Sequence, residues 1–242
     1  MNLVIDQGNT NVKIAVFQNG IIMNRFTEKE MSLNTMKNIL REFPGIKRSI
    51  LSSVNKFNED ISHFLSSAVS NFIVLDQGTP IPIKNNYTTK DTLGYDRIAN
   101  AVAAHSLFPG NNVLIIDTGT AITIDFISSN SEFLGGNISP GLDLRLKSLN
   151  NYTAKLPLVE KQENFEILGT STHGAILSGV LNAVIFELDG YISLFSEKYP
   201  DLKTILTGGD LNYFVKKLKN IIFVESNLNL IGLNRILEFN DN

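Results

Sequence analysis

The chain contains no cysteine. Disulfides, thiolate zinc sites and cysteine nucleophiles are therefore excluded, and the composition suits a reducing cytosol. Histidine is scarce as well, and the spacing of His63, His105 and His173 is not that of metal ligands, so we interpret them as ordinary residues. No stretch reaches the ~18–20 consecutive apolar residues that a membrane span needs. The sequence therefore predicts a protein without a membrane partner.

Clusters of basic residues are also missing. The formal charge is −3, with 21 Lys and Arg against 24 Asp and Glu among 242 residues. Binding to nucleic acid or to a membrane surface requires clustered Lys and Arg, so neither partner is expected. The start of the chain, Met1-Asn2, lacks the basic region of an export signal, and the first apolar run ends at Asp6. We expect a soluble, cytoplasmic protein.

The sequence does contain one turn motif twice. Its two copies are Asp6-Gln7-Gly8-Asn9-Thr10 and Asp117-Thr118-Gly119-Thr120. Each copy follows an apolar run and is followed by a strand-like stretch. This arrangement predicts two β-hairpins. Glycine lets backbone N–H groups approach an anion, and threonine hydroxyls add donors. Because an aspartate repels a bare phosphate, its expected partner is a metal ion or metal-bound water. Two such hairpins facing each other would form a nucleotide cleft.

Each hairpin begins a similar series of elements, of the order βββαβαβ. The first series comprises strands Leu3–Ile5, Val12–Phe17, Ile21–Phe26, Ile50–Val54 and Phe72–Leu75, helices Ser32–Phe43 and Glu59–Val69, and a helix beginning near Asp96. The second comprises strands Val113–Ile116, Ala121–Ile127, Phe133–Ile138, Thr204–Leu206 and Ile221–Val224, and helices Gly141–Leu149, Gly174–Tyr199, Leu211–Leu218 and Leu228–Phe239. The sequence thus predicts an α/β protein of two lobes, 1–110 and 111–242, with the nucleotide cleft between them.

Five motifs together resemble the type III pantothenate kinases of bacteria. They are Asp6-Gln7-Gly8-Asn9-Thr10, Gly94-Tyr95-Asp96-Arg97, Asp117-Thr118-Gly119-Thr120-Ala121, Gly135-Gly136-Asn137-Ile138-Ser139-Pro140-Gly141 and Thr207-Gly208-Gly209-Asp210. One such turn is a weak signal, whereas five in this order along the whole chain are a strong one. The resemblance implies two ribonuclease H-like lobes of the actin-like ATPase type. It also implies ATP-dependent phosphorylation of pantothenate to 4'-phosphopantothenate, the first step of coenzyme A biosynthesis.

The first hairpin is the predicted phosphate site. Its nucleotide-binding residues are Asp6, Gln7, Gly8, Asn9, Thr10, Asn11, Val12 and Lys13, joined by Thr120 of the second hairpin. Asp6 is expected to hold Mg²⁺ through water. A lysine on an otherwise apolar strand favours a phosphate partner, although a solvated side chain is the alternative for Lys13.

The second hairpin is expected to bind a different ion. By resemblance, Asp117 binds a monovalent cation, K⁺ or NH4⁺, although Asp117 as a magnesium ligand is an open alternative. Asp125, in the second strand of the same hairpin, is interpreted as structural. The resemblance also implies that Thr207–Asp210 lies against ribose and adenine and that Gly135–Gly141 forms a turn near the acceptor.

Gly94-Tyr95-Asp96-Arg97 carries the predicted chemistry. By resemblance Asp96 is the catalytic base, Arg97 contacts the substrate or the transferring phosphoryl group, and Gly94 allows close backbone approach. By resemblance Tyr87 lines the pantothenate pocket, with a half-buried aromatic residue of a loop as the alternative. Tyr95 also falls within the substrate-binding tetrapeptide, but it departs from the small residue expected there. The alternative is that Asp96 merely favours a helix start, where acidic residues are common.

Thr172 is the last predicted substrate residue. In some members of the family the corresponding threonine reaches the pocket from the partner subunit, whereas a simple helix N-cap at this point is the alternative. The helix Gly174–Tyr199 that follows is apolar on more than one face, which predicts a homodimer, with burial between the lobes as the alternative.

Three other functions are alternatives to pantothenate phosphorylation. A sugar or acyl kinase fits the same superfamily, but the Gly-x-Asp-Arg tetrapeptide fits the pantothenate enzymes better. A polyphosphate phosphatase shares the fold. A non-catalytic regulator would be expected to have lost the base, whereas Asp6, Asp96, Arg97 and Asp117 are all present.

Overall fold

The computed structural model describes residues 1–53 and 58–241. Val54, the last residue of a predicted strand, lies outside the described residues. By their internal contacts the residues form two compact units. The first is Met1–Pro109 with Ser131–Phe133 and the segment from Asn227 onward, and the second is Gly110–Asn130 with Leu134–Ser226.

The first unit is built on a five-stranded sheet of order β3-β2-β1-β4-β5, in which β1 is antiparallel to β2 and parallel to β4. Its elements up to residue 109 are β1 (Asn2–Gln7), β2 (Val12–Gln18), β3 (Ile21–Glu28), α1 (Leu33–Glu42), β4 (Arg48–Ser53), α2 (Glu59–Ala68), β5 (Asn71–Val74), β6 (Lys84–Asn85), a 3-10 turn (Lys90–Thr92) and α3 (Tyr95–Leu107).

Local sequence signals explain these boundaries. The side chain of Ser32 accepts a hydrogen bond from the Thr35 N–H and so caps α1, which ends before Pro44 as predicted. Leu3 and Ile5 of β1 are fully buried because the strand lies in the middle of the sheet. The helices α1 and α2 contribute Met36, Leu65 and neighbouring apolar residues to the core on the same sheet.

The second unit repeats this plan. Its elements are β7 (Val113–Thr118), β8 (Ala121–Ile127), the main part of β9 (Glu132–Pro140), α4 (Leu142–Asn151), α5 (Thr172–Lys198), β10 (Lys203–Thr207), α6 (Leu211–Phe214) and β11 (Phe223–Val224). The strands lie in the order β11-β10-β7-β8-β9, with β7 antiparallel to β8 and parallel to β10. The strands of the first sheet follow the same order. The units differ after their third strand, where the second unit has two helices, α4 and α5, and the first has one, α1. The prediction of two ribonuclease H-like lobes is confirmed.

Two predicted elements are shorter than expected. The helix predicted over Leu211–Leu218 ends at Phe214, beyond which the Leu218 N–H still bonds to the Phe214 carbonyl at 3.1 Å in a turn. The strand predicted over Ile221–Val224 retains only Phe223 and Val224, because Ile221 is 90% exposed and has no neighbouring strand.

The helix α5 is the main core element of the second unit. By length and composition it could cross a membrane, but the core helices of soluble proteins pass the same test. Leu181, Val184 and Leu188 are fully buried in the second core, where Phe126 and Leu206 also lie. This burial accounts for the apolar composition of the buried face of α5.

The last helix, α7 (Leu228–Phe239), belongs to the first unit, although the predicted second lobe, 111–242, included it. The backbones of α7 and α3 approach so closely that a side chain at Gly232 would collide with the Ala99 carbonyl. The Asn2 side chain of β1 also donates to Asn234 Oδ1 at 2.8 Å, and both residues are buried. These contacts hold the end of the chain on the first sheet.

The contact at Gly232 yields a stability prediction. Gly232→Ala should lower the free energy of unfolding by about 1–3 kcal/mol, because the methyl group forces α3 and α7 apart. Urea unfolding followed by circular dichroism measures this change. Gly78→Ala is the control, since its added carbon lies 3.5 Å from the Asp76 side chain, an ordinary contact. Equal stability of the two variants would contradict the proposed packing constraint.

Candidate active site

The turn between β1 and β2 is tight. The Gly8 N–H donates to the Asn11 carbonyl at 3.1 Å, and Asn9 and Thr10 at the tip are exposed. Asp6 lies directly opposite Lys13 in the antiparallel register. Because opposed residues of paired strands share one face of the sheet, the carboxylate and the ammonium group lie on the same face.

Two of the predicted nucleotide-binding residues have structural contacts in the first sheet. The side chain of Gln7 accepts a hydrogen bond from Ser53 Oγ at 3.3 Å, across the parallel pairing with β4. Val12 is almost fully buried in the first core. Val12 can therefore offer a ligand only its backbone groups, whereas the hydrogen bond from Ser53 leaves the side-chain N–H donors of Gln7 unused.

The second hairpin has its aspartate at the same strand position as the first. Asp6 and Asp117 are both the penultimate residue of the central strand of their sheet. The parallel neighbour of Asp6 is Ser52, and that of Asp117 is Thr207. The turn is again closed by a glycine, since the Gly119 N–H donates to the Ala121 carbonyl at 3.2 Å. The duplication seen in the sequence is thus a duplication of strand geometry.

The motif Thr207-Gly208-Gly209-Asp210 packs on the second hairpin. Gly208 has a φ of +101°, and a Cβ there would lie 2.5 Å from the Thr118 nitrogen and 2.6 Å from Asp117 Oδ1. The Asp210 N–H donates to the Thr118 carbonyl at 2.9 Å, and Thr118 Oγ1 donates to the Thr207 carbonyl at the same distance. Only glycine allows this loop to approach the carboxylate so closely.

The segment Gly135–Gly141 runs along the other side of the same hairpin. The Gly141 N–H donates to the Thr120 carbonyl at 3.1 Å, and a side chain at Gly141 would collide with that carbonyl. A side chain at Gly136 would collide with Asp125, which is fully buried. Three of the five motifs therefore meet around Asp117 and Thr120 in the second unit.

The tetrapeptide Gly94-Tyr95-Asp96-Arg97 forms the start of α3. Gly94 is the N-cap, and a side chain there would collide with Asp96 Oδ1. The Arg97 N–H donates to Asp96 Oδ1 at 2.9 Å, and Asp96 is half-buried in the first turn. The helix dipole stabilises a negative charge at this position. The motif therefore presents an oriented carboxylate with space kept clear beside it.

Arg97 is buried, with 4% of its surface exposed. Its guanidinium carbon lies 5.3 Å from the centre of the Tyr87 ring and 5.9 Å from that of Phe133. The structure therefore brings together Tyr87 and Arg97, two residues predicted to bind the acceptor. Phe133 was not predicted, because in the sequence it is only an apolar residue at the start of a strand.

Tyr95 points away from this group. It lines a pocket of about 320 Å³ within the first unit, together with Leu93 and Ile98. Residues two positions apart do not share a helix face, so Tyr95 and Arg97 lie on different sides of α3. The Tyr95 side chain is therefore not among the aromatic contacts of Arg97.

Thr172 is the exposed first residue of α5. The N-cap is Ser171, whose Oγ accepts from the Gly174 N–H at 3.1 Å, so capping is not the task of Thr172. Thr172 lines an open groove of about 570 Å³ within the second unit, between α4 and α5. The groove also includes Arg145 and small residues of α5.

Comparison with known proteins identifies the family. The family model described as type III pantothenate kinase matches residues 2–194. The chain belongs to the type III pantothenate kinase family. It is 47% identical to the type III pantothenate kinase of Christiangramia forsetii over 99% of both chains. The resemblance inferred from the motifs is confirmed.

Solved structures with lower identity share the fold of this kinase. A Campylobacter jejuni protein assigned to the Baf family of transcriptional activators has a TM-score of 0.61, with 24% identity and 98% of each chain covered. A glucokinase from an Antarctic psychrotroph has a TM-score of 0.55, with 15% identity and 98% of each chain covered. At these identities the likeness shows the fold alone.

One further charged residue of the kinase was missed by the motif analysis. Lys161 Nζ lies 2.7 Å from Asp210 Oδ1 and 3.1 Å from Asp143 Oδ2. Partial burial lowers the pKa of Lys161, but the hydrogen bonds from its ammonium group to Asp210 and Asp143 outweigh this effect and raise the pKa above its ordinary value. Lys161 thereby anchors the loop that packs on Asp117. It lies in an irregular segment without a motif, so no sequence signal indicated it.

Proposed function

We propose that this kinase phosphorylates pantothenate at the start of α3, with Asp96 as the base. The family phosphorylates pantothenate with ATP in coenzyme A biosynthesis. The observation that carries the proposed site is the tetrapeptide geometry: a glycine keeps space clear beside an oriented carboxylate, and a buried arginine follows it. The product is 4'-phosphopantothenate.

Asp96 would accept the proton of the attacking primary hydroxyl. In a loose phosphoryl-transfer transition state that hydroxyl becomes acidic late, so a carboxylate of ordinary basicity suffices. Its main contribution is to orient the hydroxyl in line with the γ-phosphorus. Gly94 and Arg97 would complete the acceptor site and Tyr87 would line it, whereas the Tyr95 side chain lies on another side of α3. Arg97 would bind polar groups of pantothenate, since a guanidinium offers several fixed donors.

The ATP phosphates would be bound by the first hairpin, residues 6–13, and by Thr120. Lys13 shares a face with Asp6, which supports a joint role at one phosphate group. A single carboxylate suits Mg²⁺, which keeps several waters and takes its other ligands from phosphates. No group of three or more His, Asp or Glu side chains in the described part of the chain could hold a metal alone. Bound Mg²⁺ would neutralise charge on the phosphates.

Asp117 would bind the monovalent cation, K⁺ or NH4⁺. The proposal is supported by its place at the end of β7, where Gly208 lets the backbone approach Asp117 Oδ1. Carboxylate and carbonyl oxygens are suitable ligands for such hard cations. A cation there would offset the charge of the nearby phosphates.

We further propose that the kinase is a cytoplasmic homodimer in which α5 contacts the partner chain. One side of α5 is buried in the core, whereas the other exposes an apolar stripe at helical spacing. The stripe consists of Thr172, Ala175, Gly179, Ala183, Phe186, Gly190 and Leu194. Phe186 and Leu194 are 58% and 64% exposed, an unfavourable state for large apolar side chains. Small residues in the stripe would let a second helix approach closely.

The first test concerns Asp96. Asp96→Asn should fold and bind ATP normally but lower turnover by about 10²–10⁴, because the base is lost. Pantothenate-dependent ADP release measures this, with small sugars, acetate and water as alternative acceptors. Asp91→Asn is the control, since Asp91 is exposed in the preceding 3-10 turn. Near-normal turnover of Asp96→Asn, or faster turnover with another acceptor, would overturn the assignment.

The second test concerns the cation. Replacing Na⁺ by K⁺ or NH4⁺ should raise the rate, and Asp117→Asn should abolish this response while leaving the fold intact. The control is Asp201→Asn, an exposed residue of the same unit. Equal rates of the unaltered enzyme in all three salts would contradict the cation site.

The third test concerns the homodimer. Light scattering should give twice the chain mass of 26.8 kDa. We infer that Thr172 of one chain completes the acceptor site of the other; inactive Asp96→Asn and Thr172→Ala chains, expressed together, should then regain part of the activity, because a mixed dimer contains one shared site with both residues intact. A fully active monomer would contradict the interface while leaving the kinase assignment in place.

A further inference from the structure

We propose that Phe133 is a positioning residue of this kinase. Its ring, together with that of Tyr87, holds the Arg97 guanidinium in the orientation that binds pantothenate. The inference rests on the proposed substrate-binding role of Arg97, but it concerns a residue outside every motif.

The three side chains form a compact triangle. The guanidinium carbon lies 5.3 Å from one ring centre and 5.9 Å from the other, and the Tyr87 and Phe133 rings are 6.1 Å apart at an angle of 42°. Both distances lie within the ~6 Å at which a cation is attracted by the face of an aromatic ring. The two rings are inclined to each other, so they restrict the guanidinium in two directions. Rotation of Arg97 away from this position would lose both contacts.

A short pairing of two strands brings Phe133 to Arg97. The Lys84 N–H donates to the Ser131 carbonyl at 2.9 Å, and the Asn86 N–H donates to the Phe133 carbonyl at 3.0 Å. Asn85 is the register partner of Phe133, and its side chain accepts from the Tyr87 N–H at 3.0 Å. Both rings are therefore held by the same pair of hydrogen-bonded segments.

An ion pair reinforces this pairing. Lys84 Nζ lies 2.7 Å from Glu132 Oε1, next to Phe133. Hydrogen bonds from Lys84 and Asn86 lower the pKa of Glu132, so its carboxylate is charged at neutral pH. Such an exposed pair adds little stability, but it favours the register that directs Phe133 towards Arg97.

Burial explains why aromatic rings are suited to this position. Arg97 is almost fully buried, and a buried guanidinium needs partners that compensate for lost hydration. A ring face attracts the cation without using its N–H donors. A carboxylate in the same place would occupy those donors. An aliphatic side chain would fill the space without attracting or orienting the guanidinium.

The test compares Phe133→Leu with Phe133→Tyr. Phe133→Leu should raise the KM for pantothenate about 3- to 30-fold, the range of a desolvated cation–π contact, while kcat and the KM for ATP change less than about twofold. Phe133→Tyr keeps the ring and should keep the pantothenate KM, although its buried hydroxyl lowers the melting temperature. Steady-state kinetics and thermal unfolding are measured on every variant. Phe133→Met is a second ringless variant should Phe133→Leu fail to fold.

Phe17→Leu is the matched control. Phe17 is 1% exposed in the first unit, so its replacement should lower the melting temperature as Phe133→Leu does but leave the pantothenate KM unchanged. A similar rise of the KM in Phe17→Leu would show a general loss of stability and overturn the positioning role.

A double-mutant cycle separates this inference from the proposed function. Arg97→Met should raise the pantothenate KM, and adding Phe133→Leu should change it by less than about twofold, because the residue to be positioned is gone. An unchanged KM in Arg97→Met would overturn the role of Arg97 and, with it, that of Phe133. A raised KM in Arg97→Met together with a full additional effect of Phe133→Leu would overturn the positioning role alone.

Discussion

Each sheet depends on a central strand that forms backbone hydrogen bonds with a neighbouring strand along both of its edges. The strands β1 and β7 each pair antiparallel with the next strand and parallel with a later one. Leu3, Val4 and Ile5 in the first and Leu114, Ile115 and Ile116 in the second are consequently fully buried. A carboxylate replaces the apolar residues only at the penultimate position, where ligands can reach the end of a strand. Backbone pairing, more than loop conformation, therefore positions Asp6 and Asp117.

Steric exclusion explains the glycines of the motifs. Gly208 and Gly141 lie against the backbone of the second hairpin, where any side chain would overlap with it. Gly94 has a different function, because its missing side chain leaves room for the Asp96 carboxylate. The same residue type thus permits loop packing at two positions and orients a functional group at the third.

Arg97 links the packing of the first unit to its proposed chemistry. A guanidinium in a protein interior has lost most of its hydration and is favourable only with suitable partners. Two aromatic rings provide part of that compensation at a defined position, immediately after the proposed base. The proposed acceptor site would therefore depend on Phe133, which lies in Ser131–Phe133, a segment of three residues that belongs to the first unit.

The sequence alone determined the order of elements, the duplicated hairpin and the family, because apolar periodicity, turn residues and motifs are local properties of the chain. Ser32 and Pro44, for example, define α1 by capping it and by stopping it. Tertiary structure alone decided that α7 joins the first unit, that Phe133 lies beside Arg97 and that Lys161 binds Asp210. Each of these contacts joins residues far apart in the sequence. Their formation depends on how complete elements pack, and such packing leaves no periodic pattern or short motif at either residue.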